Sequence, residues 1–388
     1  MYIVESLYNY LTTPSNIEYT NKFNYNKYKK VLEFIPKNNN KLTFYNYHDL
    51  NKQTLIKVIR ENNFNGNSLM NSIKQNIIKH IDNNCKKCLV SLSGGVDSMV
   101  LTTILKYLEY EIVALHINYN NRDESKEEQE FLEEWCNFNN IKLYVKSVDS
   151  IKRNNTKRSY YEEQTKHIRF NFYKEIMEIE NCDNILLAHH KDDIIENIFA
   201  NVCRGRYILD LGVINEKSVI SNVTIIRPMI DYYKQAIYEF SDEYDVPYFK
   251  DTTPDWSVRG KYRNKIFPLL EETFSANIKQ NLLGLSKQSY DWNELINKTI
   301  VKPFIEKIVF NDANNECIFN VENYNNYPQC FWSVIFMDIF YHFGKNCPSR
   351  KGIQTFINAI QNKTVCYISL SDNCTCRNKN YEIRIIFK

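Results

Sequence analysis

From Cys88 onward the chain alternates short apolar runs with longer stretches in which apolar residues recur every three to four positions. Leu89-Val90-Ser91-Leu92 predicts a strand, and the residues from Ser98 to about Tyr110 a helix behind it. Ile112–Ile117 predicts a second strand and Glu124–Asn139 its helix; Lys142–Val148 predicts a third, followed by a helix over Tyr160–Ile179. Asn184–His189 and Asp192–Val202 make the next pair, and Val223–Met229 with Tyr233–Tyr244 the last. Strands alternating with helices at this spacing predict a parallel, doubly wound α/β sheet. In such a sheet the active site lies at the carboxyl ends of the strands.

The flanks break this rhythm. Residues 1–84 are rich in Asn, Lys and Tyr, with helical spacing only around Lys52–Arg60 and Ser68–Ile81, and read as an N-terminal extension. Past Pro268 helical patterns run to about Asn362, with Trp332–Phe336 strongly apolar. Val365–Leu370 and Tyr381–Phe387, separated by the polar stretch Asp372–Asn380, predict a β-hairpin. The expected organisation is an extension over 1–84, a catalytic α/β domain over 85–268 and a smaller α+β domain over 269–388.

Composition narrows the class only a little. The 388 residues are 43% hydrophobic, enough for a substantial core. Lys and Arg number 49 against 46 Asp and Glu, a balance that neither requires nor excludes nucleic acid. No run approaches the roughly 20 apolar residues needed to span a bilayer. Met1–Tyr10 contains Glu5 and no basic start, so no secretory signal is expected and the chain reads as cytoplasmic. The 11 cysteines are then expected as free thiols. Cys85/Cys88 and Cys374/Cys376 have metal-ligand spacing, but one opens an apolar strand and the other falls in an expected turn, which favours ordinary thiols.

The sharpest chemical signal is Ser93-Gly94-Gly95-Val96-Asp97-Ser98, set after the first strand and before its helix. Adjacent glycines let backbone N–H groups close on phosphate oxygens, and the helix N-terminus favours the negative charge. Ser93 and Ser98 can donate hydroxyl hydrogen bonds, while Asp97 suits Mg²⁺ bridging phosphate oxygens. The loop is neither a Walker A sequence nor a dinucleotide turn. Asp193 and Glu196, three apart on one helical face, form an acid pair suited to an ammonium group or a metal. Arg122, Arg169 and Arg204 could hold phosphates. His116 and His189 end apolar strands, equally as ligand contacts or as hydrogen-bonded structural residues.

The loop resembles the pyrophosphate loop of the N-type ATP pyrophosphatases, and further motifs resemble the tRNA(Ile)-lysidine synthase branch. His116-Ile117-Asn118 with Arg122, Ser125 and Glu128 is similar to the family's second-strand motif, and Glu163–Phe170 to its arginine-bearing helix. His189-His190-Lys191-Asp192-Asp193 with Glu196 and Arg204-Gly205 is similar to its HHxDD motif, and Arg227-Pro228, Asp251 and Tyr262-Arg263-Asn264 follow in the family's order. The resemblance spans roughly residues 86–388. It implies a PP-loop fold, ATP and Mg²⁺ as cofactors, and two further substrates: L-lysine and a tRNA(Ile) with a CAU anticodon. It also implies roles. Ser93, Gly94, Gly95, Val96, Asp97, Ser98 and His116 would bind ATP, with Asp97 also on Mg²⁺. Asp193 and Glu196 would hold lysine. Asp97, Asp193, Glu196 and Arg169 would act in catalysis, and Arg122, Arg204, Arg263 and Asn264 would contact tRNA or adenylate. The oligomeric state stays open, a homodimer included.

Lys166, Ile194 and Asn197 depart from the family pattern, as do Tyr119, Asn120 and Asn121. A tRNA thiolase of the same superfamily is the rival reading, weakened because Cys136, Cys182 and Cys203 stand singly. A non-catalytic RNA-binding homologue is the other. Lys152-Arg153, Lys157-Arg158 and Arg259–Lys265 are candidate contacts for an RNA backbone.

Overall fold

A computed structural model describes residues 23–36, 68–81, 87–121, 123–149, 158–212, 214–251, 253, 257–362 and 365–388. The helix expected over Lys52–Arg60 and the residue Arg122 lie outside the described residues. The chain divides into two compact units, Met1–Asn197 with Val213–Lys279, and Ile198–Gly212 with Gln280–Lys388. The division thus falls later than Pro268, and the residues just after the acid pair go with the second unit.

The first unit begins with a short strand β1 (Leu32–Phe34) and helix α1 (Ser68–His80). Its main sheet contains β2 (Lys87–Ser91), β3 (Glu111–Asn118), β4 (Lys142–Ser147), β5 (Asn184–Leu186), β6 (Lys217–Ile220) and β7 (Val223–Ile226), in the order β4-β3-β2-β5-β7-β6. Five strands are parallel, as the alternation predicts, and β6 runs antiparallel to β7. The order doubles back on either side of β2, which places the loop after β2 at the switch point of the sheet. Helices α2 (Val96–Tyr107), α3 (Ser125–Phe138), α4 (Arg158–Glu180), α5 (Lys191–Cys203) and α6 (Lys234–Glu243) supply the crossovers and flanks. Strand β6 has no counterpart in the sequence pattern, because its side chains are alternately exposed and half-buried. It is joined to β7 by Ser221 and Asn222, both at positive φ, the geometry of a two-residue hairpin turn.

Two segments expected as an extension are built into this unit's core. Tyr28, Val31 and Leu32 are buried against the apolar face that includes Phe131 and Phe249. Leu69, Met70, Ile73 and Ile77 form the buried stripe of α1 at helical spacing. Strand β1 pairs antiparallel with β8 (Tyr248–Phe249), the last strand of the unit.

The second unit packs helices α7 (Gln329–His342) and α8 (Arg350–Asn362) on an antiparallel sheet. The strands are β9 (Val309–Asn311), β10 (Glu316–Asn320), β11 (Val365–Ile368), β12 (Cys374–Lys379) and β13 (Glu382–Phe387), ordered β11-β12-β13-β10-β9. The polar stretch read as the turn of a hairpin is therefore corrected: Cys374–Lys379 is a strand between the two expected ones. Its inward residues are Cys374, Cys376 and Asn378, alternating with exposed Thr375, Arg377 and Lys379. Two cysteines and an asparagine carry little strand signal, although the period of two is intact. The turn proper is Asn380-Tyr381, both at positive φ.

Candidate active site

The loop from Ser93 to Ser98 leaves β2 and enters α2 with Gly94 in the left-handed region at φ +83°. A Cβ at Gly94 would lie 1.9 Å from the ring of Phe249, so both the conformation and the neighbour demand glycine. Phe249 N–H donates to the Gly94 carbonyl at 2.9 Å, and Lys250 N–H to that of Val31 at the same distance. The loop is thus backed by β8, which is in turn backed by β1. Ser98 is a brace: its hydroxyl donates to the Gly95 carbonyl (3.0 Å), accepts from Ser93 N–H (3.1 Å) and lies 3.1 Å from the Ser93 hydroxyl. Gly95 caps α2 without any side chain, which leaves the N–H groups of the helix start for a ligand anion.

Beside the loop lies a cavity of about 750 Å³. Its lining includes Ser93, Gly95, Val96, Asp97 and Ser98 of the loop, Asp193 with Arg259 and Arg263, and Arg169 with Tyr119 and Tyr173. Leu187, Ala188 and His189 also line it. The sequence places them inside a strand, but β5 ends at Leu186, although Leu187 N–H still donates to the Ile226 carbonyl of β7 at 2.9 Å. His116 is not in this lining. It is buried and its Nδ1 lies 2.9 Å from the Leu92 carbonyl, so it holds β3 to the start of the loop. Burial lowers its pKa and keeps it neutral.

Asp193 and Glu196 are both buried and point the same way from α5. Two arginines bridge them. Arg259 donates from Nε to Glu196 Oε2 at 2.8 Å and from its terminal nitrogen to Asp193. Arg263 donates to Glu196 and reaches within 3.6 Å of Asp193 and 3.7 Å of Asp251. Asp193 also closes the start of α5, accepting from His190 N–H at 3.2 Å, a capping-box contact. Burial opposes its ionisation, but His190 and Arg259 outweigh that and hold its carboxyl below the usual range. Neighbouring Asp192 accepts from Lys234 N–H at 2.8 Å and so caps α6 instead.

Behind this pair His190 is fully buried, with Nε2 3.6 Å from Asp97 and 3.5 Å from Asp193, and Nδ1 3.7 Å from Asp192. Lys234 Nζ lies 3.5 Å from the other oxygen of Asp97. Asp97 Oδ1 is buried and has no hydrogen-bond partner among the described residues. The remaining expected residues are dispersed. Asn264 is exposed on the π-helical turn Tyr262–Ile266, and Arg204 is exposed in the second unit. In the sequence Arg259 reads as part of a basic run for RNA, and Lys234 carries no signal of a role. Nothing in the sequence links Arg259 to carboxylates more than 60 positions away. Cys136 is buried and Cys203 exposed, and no group of three or more metal-ligating side chains occurs among the described residues.

The family model of the PP-loop domain matches residues 68–270. A tRNA(Ile)-lysidine synthase of Staphylococcus aureus is 30% identical over 266 residues, covering 66% of this chain and 60% of the relative. One from Chlamydia felis is 32% identical over 225 residues, covering 58% of this chain and 70% of the relative. The chain therefore spans about 60% of the length of the Staphylococcus relative. Among solved structures, the U34-tRNA thiolase NcsA from Methanococcus maripaludis is similar with a TM-score of 0.45 at 16% identity, covering 65% of this chain and 82% of that one.

Proposed function

We infer the reaction from one premise: the chain belongs to the PP-loop domain family and, within it, to the tRNA(Ile)-lysidine synthases. We propose that it adenylates a cytidine of tRNA at C2 with ATP and then replaces AMP by the ε-amine of lysine. The observation that carries this reading is a glycine loop at an uncapped helix start whose cavity is also lined by Asp193, one member of a buried acid pair with Glu196.

ATP would lie with its phosphates on Ser93–Ser98, where backbone N–H groups and the α2 dipole meet negative charge. Mg²⁺ fits Asp97, whose Oδ1 is buried without a hydrogen-bond partner among the described residues, because Mg²⁺ takes few protein oxygens and fills its shell from phosphates and water. When bound, it offsets charge building on the departing pyrophosphate. Lys234, close to Asp97, adds a cation on the same side. Arg169, also in the cavity lining, would hold the adenylated base. In the first step the cytidine O2 attacks the α-phosphorus and pyrophosphate leaves. In the second the lysine nitrogen bonds to C2, the C2–O bond to AMP breaks, and the amine gives up a proton. Chemistry of this type depends on positioning and charge neutralisation, which the loop and its cations supply.

Lysine would enter by taking the place of Arg259 on Asp193 and Glu196. Arg263 and Asn264, together with the basic residues of the second unit, would contact tRNA. No helix among the described residues is long and apolar enough to cross a membrane. The thiolase alternative is less well supported, since the cavity lining contains no cysteine among the described residues. The test is ATP hydrolysis to AMP and pyrophosphate that requires tRNA and is lost in Asp97→Asn. Release that proceeds equally without tRNA would contradict the proposal.

A further inference from the structure

Arg227 is almost completely buried, 4% exposed, and no carboxylate pairs with it among the described residues. Its terminal nitrogen donates to the Asn215 carbonyl at 2.6 Å and to the Ser218 hydroxyl at 2.9 Å, both on the β6 side of the sheet. Its Nε lies 3.3 Å from Nδ1 of His189. An arginine nitrogen can only donate, so Nδ1 of His189 must be the acceptor and the ring proton must sit on Nε2. His189 lines the cavity, and its Nε2 has no protein hydrogen bond among the described residues.

The cavity brings this ring to the phosphate loop. His189 and Ser93 line it together, each three residues beyond the last residue pair of β5 and β2, Leu186 with Val90. A buried cation without a counter-ion, one bond behind a neutral donor, favours negative charge in front of that donor. We propose that Arg227 is a positioning residue that fixes His189 as an Nε2–H donor to a phosphate oxygen of the bound nucleotide, and that His189 is not the base which deprotonates the attacking amine.

With Nδ1 engaged by a permanent cation and Nε2 already protonated, the ring offers no lone pair to a proton. Burial above all opposes a second proton on the ring; Asp193 favours one, but the charges of Arg227 and Arg259 add to burial and the balance keeps the ring's pKa low. The tautomer follows from the Arg227 contact alone. The identity of the acceptor rests on the nucleotide reading above.

The test separates the two. Histidine labelled with ¹⁵N in the full chain reports the proton on each ring nitrogen, with His189→Gln assigning the signal among the seven histidines. At neutral pH the expected signal is a neutral ring protonated on Nε2, converting toward the Nδ1–H form in Arg227→Met. An Nδ1–H or doubly protonated ring in the wild type overturns the proposal, whatever the enzyme's activity. In kinetics Arg227→Met and His189→Ala should each lower kcat for tRNA-dependent pyrophosphate release about 100-fold. KM for lysine should move little, and His189→Gln, which keeps an N–H donor, should recover much of the loss. A fall confined to the lysine KM, or full loss in His189→Gln, overturns the assignment to phosphate.

Discussion

Arg259 donates from Nε to Oε2 of Glu196 at 2.8 Å, so the carboxylates expected to receive an amine are already occupied by a cation of the chain itself. The side chain of Arg259 is half exposed while those of Asp193 and Glu196 are buried, so the plug is held from the solvent side. A half-exposed ion pair is screened and worth about 1 kcal/mol or less. Arg259→Gln is therefore expected to lower the KM for lysine by about three- to fivefold, with kcat changed less. An unchanged or raised KM would mean that Arg259 does not compete with the amine.

The acid pair itself should behave differently. Glu196→Gln leaves Arg259 and Arg263 facing a neutral amide at a buried position. The lysine KM should rise at least tenfold while the KM for ATP stays within about twofold, since one charge-assisted bond is worth about 1.5–3 kcal/mol. Isothermal titration with each substrate separates the effects; an equal loss for ATP would place Glu196 elsewhere in the mechanism.

Gly94→Ala tests the loop. The new methyl group meets the Phe249 ring and the residue keeps a positive φ, and both costs fall on the geometry that receives phosphates. Overpacking of this kind costs about 1–3 kcal/mol and left-handed backbone about 1–2 kcal/mol. ATP binding should weaken by 100-fold or more. Combining it with Phe249→Ala relieves only the clash, so recovery should be partial; complete recovery would show that φ at Gly94 carries no weight.

Acid should weaken the fold in two separate windows. Burial above all holds the pKa of His189 down at about 4 against an unfolded value near 6.5, and burial lowers His116 as well. The unfolded chain then binds more protons as pH falls from 6.5 toward 4, so stability declines across that interval and is flat above it. Asp193 is the opposite case: its depressed pKa contributes stability that is lost only when pH drops below the ordinary carboxylate value of 3.8. Thermal unfolding midpoints between pH 4.5 and 8 should fall on the acid side. In His189→Gln that slope should be shallower; the same slope would exclude His189 as its source.

The N-terminal strand should be structural. Leu32 is 2% exposed within the core behind the phosphate loop. Leu32→Ala should cost about 2–5 kcal/mol in denaturant unfolding. A loss below about 1 kcal/mol would mean that β1 is only loosely attached.

Much of this site was legible because its chemistry is local in sequence. The loop Ser93–Ser98 declares itself by two glycines between a strand and a helix, and Asp193 and Glu196 by their spacing on one helix. What stayed hidden depends on residues far apart. The partners of the acid pair, Arg259 and Arg263, come from a basic run that resembles any solvated surface, and Arg227 meets His189 only because β5 and β7 are neighbours. In the fold, the five parallel strands follow from apolar runs. Strand β12 reads as a turn in the sequence because its buried face is Cys374, Cys376 and Asn378, and β1 is too short to show a period. His116 shows the limit of a strand-end histidine as a signal: its ring turns inward to a carbonyl.

The most direct test of the account is lysine incorporation. Purified protein would be incubated with Mg·ATP, radiolabelled lysine and a tRNA(Ile) transcript bearing a CAU anticodon, beside Asp97→Ala. The account predicts label in the tRNA only with wild-type protein and ATP, with one AMP and one pyrophosphate released per lysine. Pyrophosphate released in a tRNA-dependent manner with no lysine in the product would contradict it, because the acid pair would then serve some other nucleophile.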